Sequence, residues 1–329
     1  MRKKSEKILL LGILVEYFHY ICVYIYFFLM LRLSLLIATY NRSSWLVRTL
    51  QSVIEQDAPL DEWECVVVNN NSTDDTAERF AEFAAQHPEV NMRMVTELNQ
   101  GLSYARNRGI RESSGEYIAI IDDDERIAPG FISAYISLFD STPDAVAAGG
   151  PIIAEYPHGR PVWMSYFTER AIANQMHLGN KVKEYPEGYI PGGGNMALRR
   201  SAIRRYGVFD ISLGRVGNSL VGGEESDLFE RLRIAQAKYY YTPDAVKYHI
   251  IPKEKLTVDY FTRLCYNVGV SQLRRAKFYH RVGVTRLKEC GKWLAAILLA
   301  LWCVITLQWS KANYLLMMRY HITRGLFSK

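Results

Sequence analysis

Four consecutive acidic residues, Asp122 to Glu125, directly follow the apolar stretch Tyr117-Ile118-Ala119-Ile120-Ile121. An apolar run of this kind is typical of a strand buried on both faces inside a parallel sheet. Adjacent carboxylates repel one another, so burial requires a positive partner. Asp122 and Asp124 could both approach one cation where the chain turns, and hard oxygen ligands favour Mg²⁺, Mn²⁺ or Ca²⁺ over Zn²⁺. The alternative is a solvated acidic turn before the helix expected near Pro129-Gly130-Phe131.

A second acidic site lies in Gly223-Glu224-Glu225-Ser226-Asp227. We expect a helix to begin here, because Leu228, Leu232 and Ala235 would share one of its faces. Acids in a first helical turn contribute about 0.3–1 kcal/mol through the helix dipole, which is a sufficient structural reason for them. A carboxylate that follows glycine and faces a pocket could instead accept the proton of a substrate hydroxyl.

Alternating strand and helix patterns would position these acids. Strands are predicted at residues 33–38, 63–69, 92–96 and 117–121, and helical patterns follow the first two. Such alternation predicts a mostly parallel sheet with right-handed crossovers. Because open sheets of this class bind ligands at the carboxyl ends of their strands, the first acidic cluster would lie on the binding edge.

The predicted strands all end in polar residues, which would therefore meet at that same edge. They are Thr39 and Asn41, then Asn69 to Asp74, then Asn99 to Arg106, then the acids. Amides and hydroxyls could hydrogen-bond a base and a ribose, while Arg106 and a metal could face a diphosphate. Turn and cap chemistry explains any single one of them equally well. Together they predict a nucleotide pocket. The sequence contains neither GxGxxG nor GxxxxGK followed by Ser or Thr, which argues against a dinucleotide-binding fold and against a P-loop.

Three later features are candidates for sugar, acceptor or metal contacts. Trp163 lies in the loop-rich stretch 151–190, where its face could stack on a sugar or simply pack locally. The glycines before Asn195, including Gly193 and Gly194, would allow a ligand to approach the backbone closely, although a flexible loop is the alternative. His249, near a late strand, is either a structural histidine or a further metal ligand.

The two ends of the chain carry the hydrophobic segments. Residues 8–31 are apolar and follow Arg2-Lys3-Lys4, so they either anchor the protein or reflect a start site assigned upstream of Met30. After residue 256 the chain becomes basic and helical, and an uncharged run at about 293–309 is framed by tryptophans and lysines. Such framing is typical of a membrane segment, either spanning or monotopic.

Composition narrows the functional class. The net charge is +6, and the excess lies toward both ends, which suits a membrane surface or an anionic ligand better than nucleic acid. The five cysteines are scattered without a CxxC pair, so we predict neither a disulfide framework nor a zinc site.

In this order, the motifs resemble those of the family 2 glycosyltransferases with the GT-A fold, over about residues 33–251. The resemblance rests on the five segments Ala38-Thr39-Tyr40-Asn41-Arg42, Asn70-Asn71-Ser72-Thr73-Asp74-Asp75-Thr76, Asn99-Gln100-Gly101 with Ala105-Arg106-Asn107, Asp122-Asp123-Asp124 with Pro129-Gly130-Phe131, and Gly223-Glu224-Glu225. It implies an α/β fold with a mostly parallel mixed sheet flanked by helices. With the composition of the two ends, it divides the chain into three regions: the hydrophobic segment 1–31, a GT-A domain at 32–255, and basic C-terminal helices at 256–329 with a membrane segment at about 293–309.

The resemblance assigns roles to individual residues. Asp122 and Asp124 become metal ligands for Mn²⁺ or Mg²⁺, and Glu225 the base of an inverting displacement, with Asp227 or Glu224 as alternatives. The donor-binding residues become Thr39, Asn41, Arg42, Asn69, Asn71, Asp74, Asn99, Gly101, Arg106, Asp122 and Asp123. Gly193, Gly194, Asn195 and Trp163 are candidates for positioning the sugar or acceptor.

Three departures from the family pattern matter. Glu225 stands where aspartate is usual, and Asn69 replaces a base-contacting aspartate, so UDP, GDP and dTDP all remain open. Gln272-Leu273-Arg274-Arg275 lacks the tryptophan of the processive members' QxxRW motif, which predicts addition of a single sugar.

The prediction is therefore a membrane-associated enzyme at the cytoplasmic face that adds one sugar to a lipid-linked or surface-polysaccharide acceptor. A sugar nucleotidyltransferase is an alternative, but it would need a Gly-rich, basic phosphate loop after the first strand. A sugar-nucleotide-binding scaffold without catalysis is a second alternative, against which the intact acids argue.

Overall fold

The computed structural model describes residues 31–217 and 220–328, so the predicted N-terminal segment lies outside the described residues except for Leu31. The strands are β1 (Leu33–Thr39), β2 (Trp63–Asn69), β3 (Met92–Thr96), β4 (Tyr117–Asp122), β5 (Glu125–Ile127), β6 (Ala145–Gly149), β7 (Ile152–Glu155), β8 (Lys183–Glu184), β9 (Met196–Arg199), β10 (Lys238–Tyr241) and β11 (Lys247–Ile250). The helices are α1 (Ser43–Ile54), α2 (Thr76–Gln86), α3 (Leu102–Glu112), α4 (Phe131–Ser141), α5 (Tyr166–Ala173), α6 (Arg200–Tyr206), α7 (Glu224–Ile234), α8 (Val258–Phe278), α9 (Val282–Ile305) and α10 (Trp309–Leu326).

An eight-stranded mixed sheet with the order β3-β2-β1-β4-β9-β6-β10-β8 forms the centre of the molecule. Its first four strands in that order are parallel, whereas β9 lies antiparallel between β4 and β6. A separate three-stranded sheet, β5-β11-β7, brings His249 opposite Glu125. The predicted mostly parallel mixed sheet is therefore confirmed, and each of the four predicted early strands is present within one residue of its expected bounds.

Helices cover both faces of the sheet because its central strands are apolar on both faces. In β1, Leu35 and Ile37 pack on one side in a core shared with α1, α2 and α4. Leu36 packs on the other side in a core shared with α3, α6 and α7. Burial on both faces accounts for the continuous apolar runs in the sequence.

The three C-terminal helices form a bundle that joins the sheet domain through a third core. In this core, Phe261 of α8 and Ile322 of α10 pack with Met164 and Ile172 from the loop region and α5. The expected membrane run at 293–309 is not one helix, because α9 ends at Ile305 and α10 begins at Trp309. Within the described ranges, we find no helix of the length and apolarity needed to cross a membrane. A domain boundary at residue 255 stays a prediction.

Helices α8 and α10 approach closely through Gly269 and Gly325. A Cβ atom at Gly269 would lie 2.0 Å from the carbonyl oxygen of Ile322, so Gly269→Ala must force the helices apart. We expect this substitution to lower the free energy of unfolding by about 1–3 kcal/mol, as overpacking does. Gly291→Ala on α9 is the matched control, because a Cβ there would meet no atom within 4 Å. Chemical denaturation of both variants tests the expectation, which an unchanged Gly269→Ala midpoint would contradict.

Candidate functional site

The carboxyl ends of β1 and β4 open into a cavity of about 750 Å³. Within the described residues, its walls come from the loops after these strands, from α3 and α7, from the Gly193-Gly194 loop, and from β11 and α8. Twelve predicted site residues line it: Thr39, Arg42, Gly101, Arg106, Asp122, Asp123, Asp124, Gly193, Gly194, Glu224, Glu225 and His249. A cavity of this size can hold a drug-sized or cofactor-sized ligand.

Basic side chains neutralise the acids at the end of β4. Arg106 Nη2 donates to Asp122 Oδ1 at 2.9 Å, and Arg42 Nη1 donates to both Asp123 Oδ1 and Asp124 Oδ2 at 3.0 Å. Lys255 Nζ donates to Asp124 Oδ2 at 2.8 Å. Protein side chains thus supply the positive partners that the acidic run requires. The alternative of a solvated acidic turn is wrong.

The local charges set the ionisation of these acids. Burial raises the pKa of Asp123 to about 6, with Arg42 acting against the rise and Asp124 adding to it. Burial acts in the same direction on Asp124, but Lys255, His249 and Arg42 outweigh it and hold the pKa of that carboxyl below its usual range. The pKa of Asp122 is lowered as well, because Arg106 and Lys247 outweigh its burial, so Asp123 is the one of the three whose pKa is raised.

Beneath the cluster, Glu125 forms a fully buried ion pair with Lys247. Glu125 also accepts a hydrogen bond from the backbone nitrogen of Asp122 at 3.0 Å, which fixes the end of the strand. Burial raises the pKa of Glu125, while Lys247 opposes the rise. The fourth acid of the run also lines the cavity, and its contact with the backbone of Asp122 gives it a structural role there.

His249 lies next to Asp124 but does not complete a metal cluster. Its Nδ1 donates to the carbonyl oxygen of Ala173 at 2.9 Å, which leaves a lone pair on Nε2, and Lys255 Nζ lies 3.5 Å from that atom. Burial, together with Lys255 and Lys247, lowers the pKa of His249 to about 4, so the imidazole is neutral at physiological pH. In the part of the chain that the structure describes, no three carboxylate, imidazole or thiol groups are arranged to hold a metal ion.

The chemistry of this donor set nevertheless fits a divalent cation. Asp124 offers an ionised carboxylate, and His249 offers an imidazole whose tautomer is fixed by a backbone carbonyl. The ammonium of Lys255 already occupies a cation's position between the two. Asp122 pairs with Arg106 through Oδ1, and its predicted role as the second metal ligand beside Asp124 stays a prediction.

The acids at the start of α7 face three different environments. Glu224 is buried and accepts from Arg106 Nη1 at 2.8 Å, and burial together with Glu225 raises its pKa to about 7. Asp227 accepts from Arg231 Nε at 3.0 Å and from the hydroxyl of Tyr279 at 2.8 Å. Glu225 lines the cavity, and its buried Oε2 has no hydrogen-bond partner in the described ranges 31–217 and 220–328.

The loop that contains Gly193 and Gly194 lies directly against the acids of α7 and the acids that follow β4. A Cβ atom at Gly193 would lie 2.8 Å from Glu225 Oε1, and one at Gly194 would lie 2.4 Å from Glu125 Oε1. A side chain at either position would have to displace one of these carboxylates. The expected close approach is therefore present, although the atoms that approach are those of the protein's own carboxylates.

The expected donor-binding loops are tied to each other. Asn41 has φ 52° and accepts from the backbone nitrogen of Thr73 at 2.7 Å, which joins the loops after β1 and β2. Asn69 accepts from the backbone nitrogen of Ser72 at 2.8 Å. Asn70, absent from the predicted set, accepts from Gly101 at 2.8 Å, and Gly101 has φ 145°. Among described residues, Asn41, Asn69, Asn71, Asp74 and Asn99 lie outside the cavity lining, so their contact with a donor stays a prediction.

Two predicted positioning residues are packed away from the cavity. Asn195 is fully buried, accepts from the hydroxyl of Tyr135, and donates to Pro151 at 2.8 Å and Ala245 at 2.9 Å. Trp163 stacks on Tyr314 of α10, with ring centroids 4.1 Å apart. Neither residue lines the cavity, because Asn195 braces the backbone behind the site and Trp163 joins α10 to the loop region, so a positioning role for them stays a prediction.

Sequence reasoning missed the wall contributed by α8. Tyr260, Leu264, Ser271, Gln272 and Arg275 line the cavity, and Gln272 Oε1 is buried without a hydrogen-bond partner. Their spacing places them on one helical face, and that periodicity was the available signal. Lys255 was missed as well, since nothing local in Lys253–Leu256 indicates that its side chain reaches Asp124.

Comparison with known proteins gives the same family as the motifs. The sequence model described as glycosyl transferase family 2 matches residues 34–207. The glucosyl-dolichyl phosphate glucuronosyltransferase of Haloferax volcanii is 25% identical over 61% of this chain, a match that spans 63% of its own length. The succinoglycan biosynthesis protein ExoM of Rhizobium meliloti is 25% identical over 73% of each chain.

A solved structure supports the fold. The mannosyltransferase PcManGT of Pyrobaculum calidifontis, solved in complex with GDP-Man and Mn²⁺, is 19% identical with a TM-score of 0.59. The similarity covers 90% of this chain and 87% of that chain. The α/β arrangement predicted from the motifs is thereby confirmed as GT-A-like.

Proposed function

The chain belongs to glycosyl transferase family 2 and is a glycosyltransferase, and from this premise we propose that it moves one sugar from a nucleotide sugar to an acceptor hydroxyl with inversion. The observation that carries the proposal is Glu225, which lines the same cavity as the acids after β4 and whose Oε2 has no hydrogen-bond partner among the described residues. An unpartnered carboxylate oxygen in a ligand-sized cavity is available to a substrate hydroxyl.

For the donor, we propose that the loops after β1, β2 and β3 hold the nucleotide and that its diphosphate lies toward Asp124. A divalent cation, Mn²⁺ or Mg²⁺, would be held by Asp124 and His249. When bound, it would neutralise the charge that grows on the departing diphosphate. Complexes of PcManGT with GDP-Man and Mn²⁺ support a metal-bound donor in a related fold.

For the reaction, we propose that Glu225 is the base. Its carboxylate takes the proton of the acceptor hydroxyl as that oxygen attacks the anomeric carbon, and the bond to the diphosphate breaks on the opposite face. Glu224 is less suited, because its carboxylate is committed to Arg106 inside the protein. Asp227 is less suited, because it is bound by Arg231 and Tyr279 away from the cavity lining.

For the acceptor, we propose a lipid-linked or surface-polysaccharide glycan used at the cytoplasmic face of a membrane. The exposed apolar side chains of α9 support membrane contact: Leu294 (63%), Leu298 (60%), Leu301 (54%), Trp302 (62%) and Ile305 (73%). Lysines near these residues, such as Lys292, would favour anionic lipid headgroups. The name of the Haloferax relative, which includes dolichyl phosphate, is consistent with such an acceptor.

We expect Leu298→Glu combined with Leu301→Glu to weaken binding to vesicles of mixed anionic and neutral lipid by at least tenfold. Burying a carboxylate in the headgroup region is unfavourable, and two apolar anchors are lost. Leu60→Glu is the control, since Leu60 is an exposed leucine (43%) on the sheet domain. Vesicle flotation measures the effect, and equal flotation of all three proteins would refute the membrane face.

The reaction class is tested by incubating the full chain with a panel of UDP-, GDP- and dTDP-sugars in Mn²⁺ or Mg²⁺ and measuring the released nucleoside diphosphate. We expect metal-dependent release from one donor. Release of pyrophosphate from a sugar phosphate and a nucleoside triphosphate would instead indicate a nucleotidyltransferase. Nucleotide binding without turnover of any donor would indicate a scaffold.

A further inference from the structure

Lys255 occupies an unusual place in the site. It belongs to the short 3-10 turn Lys253–Leu256 that links β11 to α8, yet its side chain is only 15% exposed. Its ammonium lies 2.8 Å from Asp124 Oδ2 and 3.5 Å from His249 Nε2. A lysine that reaches inward from a surface turn to a carboxylate and a neutral imidazole makes contacts that a cation would make there.

We propose, on the basis of the proposed function, that Lys255 is a built-in counter-ion. Its ammonium occupies the position of the metal before the donor arrives and then moves to the diphosphate of the donor. Asp124 has a side-chain exposure of only 8%, so an ionised carboxylate at this position requires a positive neighbour at all times. Arg42 cannot fill that role alone, because it is shared with Asp123.

The geometry implies that the ammonium of Lys255 and a divalent cation compete for the same position. A cation bound by Asp124 and by the Nε2 lone pair of His249 would need the space and the ligand atoms that the ammonium uses. Two positive groups so close together repel strongly, so the ammonium must leave when the cation enters. Lysine suits such a movement, because its four-carbon side chain is flexible and carries a compact charge.

The released ammonium finds a new partner only when the diphosphate is present. Lys255 lines the cavity, so its flexible side chain is able to turn Nζ toward the phosphate oxygens of a diphosphate bound there. Metal binding alone is therefore opposed by Lys255, whereas metal binding together with nucleotide is assisted. The cation and the donor would thus bind as a unit, with little metal bound to the empty enzyme.

The test measures Mn²⁺ affinity by the loss of the free-ion EPR signal, with the full chain purified in detergent. We expect Lys255→Met to bind Mn²⁺ at least tenfold more tightly than the unmodified protein when nucleotide is absent. We also expect UDP or GDP, whichever the donor panel selects, to enhance Mn²⁺ binding less in the variant. Lys253→Met, which removes an exposed lysine from the same turn, should match the unmodified protein in both respects.

A second measurement needs no variant. Amine-specific labelling followed by mass spectrometry should show Lys255 more reactive after Mn²⁺ is added and protected again after the nucleoside diphosphate is added. Mn²⁺ affinity that Lys255→Met leaves unchanged or weakens, or reactivity that does not respond to saturating Mn²⁺, would overturn the proposal. If either outcome were found in a protein that still transfers sugar, the role of Lys255 would be overturned and the proposed function would stand. If Lys255→Met bound Mn²⁺ more tightly but the unmodified protein transferred no sugar, the proposed function would be overturned and the role of Lys255 would stand.

Discussion

Glu225→Gln is expected to lower the rate of sugar transfer by about a thousandfold, within the range that a general base supplies. Glutamine keeps the size of the side chain beside Gly193 but cannot accept the acceptor's proton. Nucleotide affinity should change little, because the proposed donor contacts lie on the loops after β1 to β3. The measurement is single-turnover release of nucleoside diphosphate together with nucleotide binding by calorimetry.

Glu230→Gln on the same helix is the matched control, because Glu230 pairs with Arg233 and Arg281 away from the cavity lining. It should transfer at the unmodified rate. If Glu225→Gln retained full activity while Asp227→Asn lost it, the base would be Asp227. If Glu224→Gln alone were inactive with an unchanged melting temperature, Glu224 would take that role.

Asp124→Asn should lower turnover by about a hundredfold to a thousandfold and remove its dependence on Mn²⁺. The amide keeps the shape of the side chain but loses the charge that would hold the cation. A bound cation contributes several kcal/mol to stabilising a leaving diphosphate. Because about 1.36 kcal/mol corresponds to a tenfold change in rate, losing the cation should have an effect of this size. Folding should survive, because Arg42 still pairs with Asp123. The assay is a Mn²⁺ titration of donor turnover.

Asp144→Asn controls for the loss of a carboxylate, since Asp144 forms a pair with Lys238 in which both side chains are about half exposed. Its turnover and Mn²⁺ dependence should equal those of the unmodified protein. Metal-dependent turnover that persists in Asp124→Asn would exclude Asp124 as a ligand and would return Asp122 to consideration.

The sequence by itself determined the sheet and the edge at which the site lies. Residues 33–39 and 117–122 are apolar on both sides of the strand, and strands of this kind form only where helices cover both faces. The polar ends of those strands had to meet, because parallel strands share one carboxyl edge. The requirement for a positive partner beside Asp122 to Asp124 also followed from charge alone.

Tertiary structure decided which basic residues pair with the acids of the site and which acid of α7 is available as the proposed base. Lys255 reaches Asp124 across 131 positions of sequence, and Arg106 reaches Glu224 across 118, distances over which no local pattern carries information. The three acids in the first turn of α7 are equivalent as a motif, and the contacts of Arg106, Arg231 and Tyr279 distinguish Glu224 and Asp227 from Glu225.

Packing also changed the interpretation of Asn195 and of the run at 293–309, whose side-chain types suggested contact with a ligand and with a membrane. Asn195 has the chemistry of a sugar ligand, but all of its hydrogen-bonding groups are used by Tyr135, Pro151 and Ala245. The run at 293–309 has the composition of a membrane segment, but the chain turns at Leu307, where φ is 56°. Side-chain type and spacing determine what a residue is able to do, whereas the neighbours that folding brings from distant parts of the chain decide which ability remains available.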